Sequence, residues 1–456
     1  MNQEFDAIVI GAGQAGPPMA GRIAATGKRV AVIERDLVGG TCVNTGCTPT
    51  KTLVASAYAA HLARRAGDFG LSVGPVGVEF AAVMARKDKV VDDSRSRLEG
   101  WLRGSANCTL IKGEASFLSS TSVRVGDDVF EADRFFINVG CRAVIPDFPG
   151  VDQVRTMTNA TLLGLRELPT RLVIIGGSYI GLEFAQMFRR FGTSVTVVEK
   201  ASRLLSREDE AVSDAIRETL EAEGIKVRLE SECIRFAPRG ADIAVGVNCA
   251  GGEPEEVGSH VLLAVGRRPN TDDLGLHAAG VKTDGHGYIV VDDQLRTNVS
   301  HIWALGDCNG RGAFTHTSYN DYEIVAANLL DGGQRRVRDR IPVYALYIDP
   351  PLGRVGLTEA EARAEGHSVR IGVRPMTRVG RAVEKGETRG FIKVVVDRAS
   401  DAILGAAIFG VGGDEAVHGV IEAMAAGVTA TAYTRVMAIH PTVSELIPTV
   451  FGELSP

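Results

Sequence analysis

Two thirty-residue segments of the chain repeat one pattern, and that repeat constrains the fold more than any other feature. The first, "DAIVIGAGQAGPPMAGRIAATGKRVAVIER", reads as a short apolar strand, a glycine turn, an alanine-rich helix and a second strand ending at Glu34. The second, "RLVIIGGSYIGLEFAQMFRRFGTSVTVVEK", follows the same order and ends at Glu199. Gly16 precedes Glu34 by 18 positions, and Gly181 precedes Glu199 by the same 18. Close glycines let a pyrophosphate approach a helix N-terminus, where backbone N–H groups and the helix dipole favour negative charge. A carboxylate about 20 residues on is placed to accept from ribose hydroxyls. Each segment is therefore read as a dinucleotide-binding βαβ unit. Gly11, Gly13, Gly16 and Glu34 form the first set, and Gly176, Gly181 and Glu199 the second.

Neither copy is regular. Pro17 and Pro18 follow the third glycine of the first, which first-turn positions tolerate because their N–H groups lack intrahelical partners. Ser178 stands where the second copy would carry its middle glycine, and is expected to hold the pyrophosphate slightly back. A chain of 456 residues is too long for one core. The 53 glycines, near 12% of the chain against a usual ~7%, fit tight turns and close backbone approach. From about residue 341, Pro342, Pro350 and Pro351 open a different texture, with strands at "GFIKVVVD" and "ILGAAIFG" and a helix from Asp414 to about Ala426. The expected architecture is α/β, with two Rossmann-like, three-layer (ββα) dinucleotide domains and a C-terminal α+β domain. Residues 1–149 and 267–338 would form a discontinuous first domain, 150–266 an inserted second, and 339–456 the third.

Net charge of −6 leaves no basic footprint for nucleic acid. The start runs directly into "FDAIVIGAG" and no apolar run approaches ~18 residues, so neither a signal peptide nor a membrane span is expected. The seven cysteines (42, 47, 108, 141, 233, 249 and 308) are odd in number and mostly distant, unlike a secreted disulfide framework, so a reducing cytoplasm is the expected compartment.

Two of them stand out in "GGTCVNTGCTPTK". Thr48 can cap a helix and Pro49 suits its first position, which puts Cys47 at a helix N-terminus, where the dipole favours thiolate. The helix that follows is expected to align Val54, Tyr58, His61, Leu62 and Arg65 on one face. Five helical residues rise about 7.5 Å, beyond the ~7 Å reach of a disulfide. Gly46 supplies freedom to distort the turn, and a strained bridge is a reducible one. A redox-active Cys42–Cys47 pair fits best. Zinc, a structural bridge and two inert thiols are the alternatives, and zinc lacks a second pair of ligands at suitable spacing. Cys141 and Cys308 read as packing residues. No metal site is expected.

Two dinucleotide units, C-x-x-x-x-C in the first and "HPTVSE" near the end together resemble the class I pyridine nucleotide–disulfide oxidoreductases, the flavoprotein family of dihydrolipoamide dehydrogenase, glutathione reductase and mercuric reductase. The resemblance implies that Gly11, Gly13, Gly16, Glu34, Gly40, Thr41, Lys51, Gly306 and Asp307 hold FAD. It implies that Gly176, Tyr179, Gly181, Glu199 and Gly266 serve the nicotinamide nucleotide, with Tyr179 as a gate over the flavin. Lys51 would pair with Glu183 near the flavin's hydride-accepting nitrogen. Cys47 would be the flavin-facing thiolate, Cys42 the thiol that attacks substrate, and His440 with Glu445 an acid–base dyad supplied across a homodimer. Glu199 favours NADH over NADPH, while Lys200 and Arg203 leave room for the phosphate. For the substrate, "FGELSP" at the end and His440-Pro441 depart from mercuric reductase, and "CVNTGCTPT" departs from dihydrolipoamide dehydrogenase. The expectation is a small disulfide, an oxidised-sulfur compound or a reactive oxidant such as hypothiocyanous acid. The alternatives are a lipoamide or mercuric reductase, a flavin NADH oxidase with incidental cysteines, and a docking subunit.

Overall fold

The computed structural model describes residues 2–232, 234–247 and 255–455, so Cys233 and Cys249 lie outside the described residues. The chain is an α/β protein in two compact units. One comprises residues 1–52, 84–144 and 266–340, the other 53–83, 145–265 and 341–456.

In the first unit the strands Cys108–Lys112, Val30–Glu34, Asn2–Ile10 and Asp128–Ile137 lie side by side and parallel. The last of these is long enough to have two neighbours on its far edge. Its start pairs antiparallel with Ser122–Val125, and its end pairs parallel with Ile302–Ala304. Strand Val30–Glu34 is buried along its whole length, as expected of a parallel strand covered on both faces. In the second unit Lys226–Arg228, Ser194–Val198, Arg171–Ile175 and His260–Leu263 form a second parallel sheet. A five-stranded antiparallel sheet from Val343 to Phe409 follows, and Gly413–Ala416, His418–Ala425 and Ile447–Gly452 pack in its core. The single helix expected from Asp414 is thus broken around Val417. Among the described residues no helix is long and apolar enough to cross a membrane.

The two βαβ turns are built alike. Gly11 and Gly176 have φ of +100° and +114°, values that L side chains rarely adopt. A Cβ at Gly11 would lie 2.3 Å from the Asn138 carbonyl oxygen, and one at Gly176 2.4 Å from that of Ala264. At the third glycine the obstacle is the turn itself: a Cβ at Gly16 would meet the Gly11 carbonyl oxygen at 2.2 Å, and one at Gly181 that of Gly176 at 2.1 Å. Helix Gly16–Ala24 carries its prolines in the first turn, and helix Tyr179–Phe191 starts directly after Ser178. Gly16→Ala should therefore open the first turn, costing about 2–3 kcal/mol and releasing flavin. A melting curve and the flavin-to-protein absorbance ratio of the purified protein check it; unchanged values would contradict the close approach.

Candidate active site

In both units the terminal carboxylate ties its own glycine turn. Glu34, buried, accepts from Ala12 N–H at 2.7 Å through one oxygen and from Asp36 N–H at 2.9 Å through the other. Glu199 does the same with Gly177 N–H at 2.6 Å and Ala201 N–H at 2.8 Å. Asn138, which sequence reasoning missed, braces the first turn further. Its Oδ1 accepts from Gly16 N–H at 3.0 Å and its amide donates to the Leu305 carbonyl at 2.9 Å. A Cβ on Gly40 (φ +59°) would stand 3.0 Å from Gly13 Cα, so the cysteine segment lies directly against the glycine turn. Backbone this close, at a helix start with a tied carboxylate beside it, fits the pyrophosphate and ribose of a dinucleotide.

Gly306 and Asp307, the other positions expected to hold FAD, belong to the same unit. Gly306 has φ +73°, and its N–H donates to buried Asp321 at 2.7 Å. Asp307 pairs with Arg267 at 2.5 Å, and Arg267 also donates to the Cys141 carbonyl at 2.8 Å, one residue after Gly266 at φ +122°. Burial pushes the Cys141 thiol up to about 12 and raises Cys308 as well, consistent with their reading as packing residues.

Helix Gly40–Asn44 carries Cys42, and helix Cys47–Arg64 begins at Cys47 itself rather than after a Thr48 cap. Gly46 makes the intervening turn sharp: a Cβ there would lie 2.8 Å from the Thr41 carbonyl oxygen. Along the second helix the fully packed side is Thr50, Leu53 and Ala57, while Val54, Tyr58, His61, Leu62 and Arg65 are only half-buried. On that side Tyr58 donates to Glu387 at 2.9 Å and Arg65 to the Gly386 carbonyl at 2.8 Å.

Both cysteines are free thiols, Cys47 exposed and Cys42 intermediate. A hydrogen bond to Cys47 and then burial drive the Cys42 thiol well above its ordinary range, with Thr315 and the Lys51 ammonium opposing the shift. Thr315, a second residue that sequence reasoning missed, opens helix Thr315–Leu330 and places its Oγ1 3.3 Å from Cys47 Sγ.

In the other unit Tyr179 and Glu183 stand on the first turns of one helix, and buried Glu183 accepts from Tyr347 N–H at 3.0 Å. His440 Nδ1 lies 2.9 Å from Glu445 Oε2; the imidazole is 82% exposed while the carboxylate is 12% exposed. A sheltered carboxylate therefore orients a histidine that faces outward.

Residues 5–321 match the model of the pyridine nucleotide-disulphide oxidoreductases, and 343–451 match that family's dimerisation domain. The chain is 36% identical to a probable pyridine nucleotide-disulfide oxidoreductase, RclA, of Escherichia coli, over 98% of this chain and 99% of that one. It is 33% identical to a mercuric reductase of Bacillus cereus, over 97% of this chain and 70% of the relative. A solved Cu(II) complex of the HOCl-induced flavoprotein disulfide reductase RclA from Escherichia coli superposes with a TM-score of 0.91 at 34% identity, covering 99% of both chains. The chain belongs to the class I pyridine nucleotide–disulfide oxidoreductases. It is an FAD-dependent oxidoreductase that uses a pyridine nucleotide.

Because Cys47 raises the Cys42 thiol, Cys47→Ser should move the onset of Cys42 alkylation to lower pH. Iodoacetamide labelling with peptide mass mapping across pH reads this directly, and an unmoved onset would show that the two thiols do not interact.

Proposed function

We propose that the protein passes electrons from reduced nicotinamide to a small oxidised-sulfur acceptor, hypothiocyanous acid or a small disulfide, through Cys42 and Cys47. The observation that carries the reading is the combination of two thiols in contact, Cys42 raised by Cys47 and by burial, with the outward-facing His440–Glu445 pair. A thiol raised above its ordinary range needs a base before it can attack, and an imidazole held in place by a carboxylate is suited to that work. Transfer to a soft metal ion calls for thiolate ligands and has no need of such a dyad. Similarity to a reductase described as induced by HOCl points the same way.

FAD, when bound, supplies the two-electron connection between the nicotinamide and the cysteine pair. Gly11, Gly13, Gly16, Glu34, Gly40, Thr41, Lys51, Gly306 and Asp307 would hold it, within a domain of residues 1–149 and 267–338. Gly176, Tyr179, Gly181, Glu199 and Gly266 would serve the nucleotide around an inserted domain of residues 150–266. The domain of residues 339–456 would join two copies so that His440 and Glu445 of one subunit serve the cysteines of the other. Lys51, with Glu183 as counter-charge, would place positive charge beside bound FAD. His440 takes the Cys42 proton. Cys42 then attacks the acceptor sulfur; with hypothiocyanous acid, hydroxide leaves and is protonated to water. Cys47 opens the resulting Cys42–S bond, releasing thiocyanate and forming the Cys42–Cys47 disulfide. NADH is favoured because a carboxylate at position 199 repels a 2′-phosphate.

With an acceptor panel of hypothiocyanous acid, glutathione disulfide, lipoamide, mercuric and cupric ions, His440→Gln should lower sulfur-acceptor turnover about 10²-fold while flavin reduction by NADH keeps its rate. Fastest turnover with a metal ion, insensitive to that variant, would sink the reading. Glu199→Ser should raise kcat/KM for NADPH about tenfold relative to NADH; steady-state kinetics with both nucleotides check this, and an unchanged ratio would contradict it.

A further inference from the structure

Three buried polar residues lie on one face of helix Tyr179–Phe191, and all three are held by one loop of the dimerisation domain. Glu183, Gln186 and Arg190 are 3%, 3% and 5% exposed, at spacings of three and four that align them along the helix. Glu183 accepts from Tyr347 N–H at 3.0 Å. Gln186 makes a two-way amide pair with Asp349: its Nε2 donates to the Asp349 carbonyl at 2.7 Å and its Oε1 accepts from Asp349 N–H at 2.7 Å. Arg190 donates to the Asp349 carboxylate at 2.6 Å and to Glu223 at 2.7 Å.

The distal part of the cysteine helix meets the same node. Arg64 donates to the Arg190 carbonyl at 2.6 Å, and His61 Nε2 lies 4.0 Å from Asp349. Packing alone does not require this arrangement. The helix could bury apolar side chains at 183, 186 and 190, as it does at Leu182, Phe184 and Phe188. A glutamine that matches both polar groups of one peptide fixes helix register and rotation, which apolar packing specifies less sharply.

We propose that Gln186 is a positioning residue for the nicotinamide-to-flavin step. Clamped to Asp349, it holds the helix so that Tyr179 and Glu183 present themselves in one geometry, and the dimerisation domain thereby sets the rate of flavin reduction. This rests on the reading above, in which Glu183 serves the flavin site. A rotated or frayed helix leaves nucleotide affinity, set mainly at the Gly176–Gly181 turn, largely in place, and impairs the transfer that depends on alignment.

The test uses FAD-loaded enzyme, with anaerobic stopped-flow reduction by NADH and amide hydrogen exchange over residues 179–186. Gln186→Leu should lower the limiting reduction rate about tenfold, change the NADH dissociation constant by less than about threefold, and speed exchange in that segment. Reoxidation of the reduced variant by acceptor should keep its rate. Faster exchange with an unchanged reduction rate would show a structural role only and overturn the proposal. Asp349→Asn, which keeps the backbone pair and weakens the Arg190 contact, should shift both readouts the same way by less; no shift in either counts against the clamp. Glu183→Gln separates the two levels: if it leaves the reduction rate unchanged, Glu183 has no part at the flavin and the proposal falls with that reading. If it slows reduction and Gln186→Leu does not, the clamp alone is wrong.

Discussion

A carboxylate that ties its own glycine turn is the interaction on which both βαβ turns depend. Glu34 and Glu199 each spend two oxygens on backbone N–H groups, one within the turn and one just beyond the strand that carries the acid. The turn closes tightly because its glycines' missing Cβ atoms let carbonyl oxygens come within about 2.4 Å of where a side chain would begin. Without the carboxylate, several N–H groups beside a helix start would be left to compete for water. With it, the loop is shaped before any ligand arrives, and the binding free energy is not consumed in ordering it.

The cysteine pair depends on that turn in a direct way. Gly40 rests against Gly13, so the short helix bearing Cys42 is located by the same backbone that would cradle the pyrophosphate. Gly46 then lets the chain fold back sharply enough for Cys47 to open the next helix with Cys42 in hydrogen-bond contact. The outcome is an unequal pair. Cys42 is raised by its partner and by burial, while Cys47 sits at a helix start beside the Thr315 hydroxyl, in an environment suited to a thiolate. Two chemically identical side chains thereby acquire different surroundings from position alone.

Features that depend on local sequence were legible. The paired glycine turns, Cys47 at a helix start and the His440–Glu445 approach all follow from spacings of eighteen residues or fewer. What escaped was set by distant partners. Asn138 reaches Gly16 across 122 positions and Thr315 reaches Cys47 across 268, and neither carries a motif. An isolated asparagine or threonine has no periodicity to reveal it; its role exists only once parallel strands bring the segments together. The break at Val417 reflects two short helices meeting end to end, which helix propensity alone does not distinguish from one.

The central claim is that Cys42 and Cys47 receive the electrons that reduced nicotinamide delivers. Anaerobic titration of the FAD-loaded protein with NADH, followed across the visible spectrum, tests it most directly. The account predicts that the first two electrons leave the flavin oxidised, with a long-wavelength charge-transfer band that Cys47→Ser abolishes. Simple bleaching of the flavin, identical in that variant, would contradict it and leave a flavin oxidase whose cysteines are bystanders.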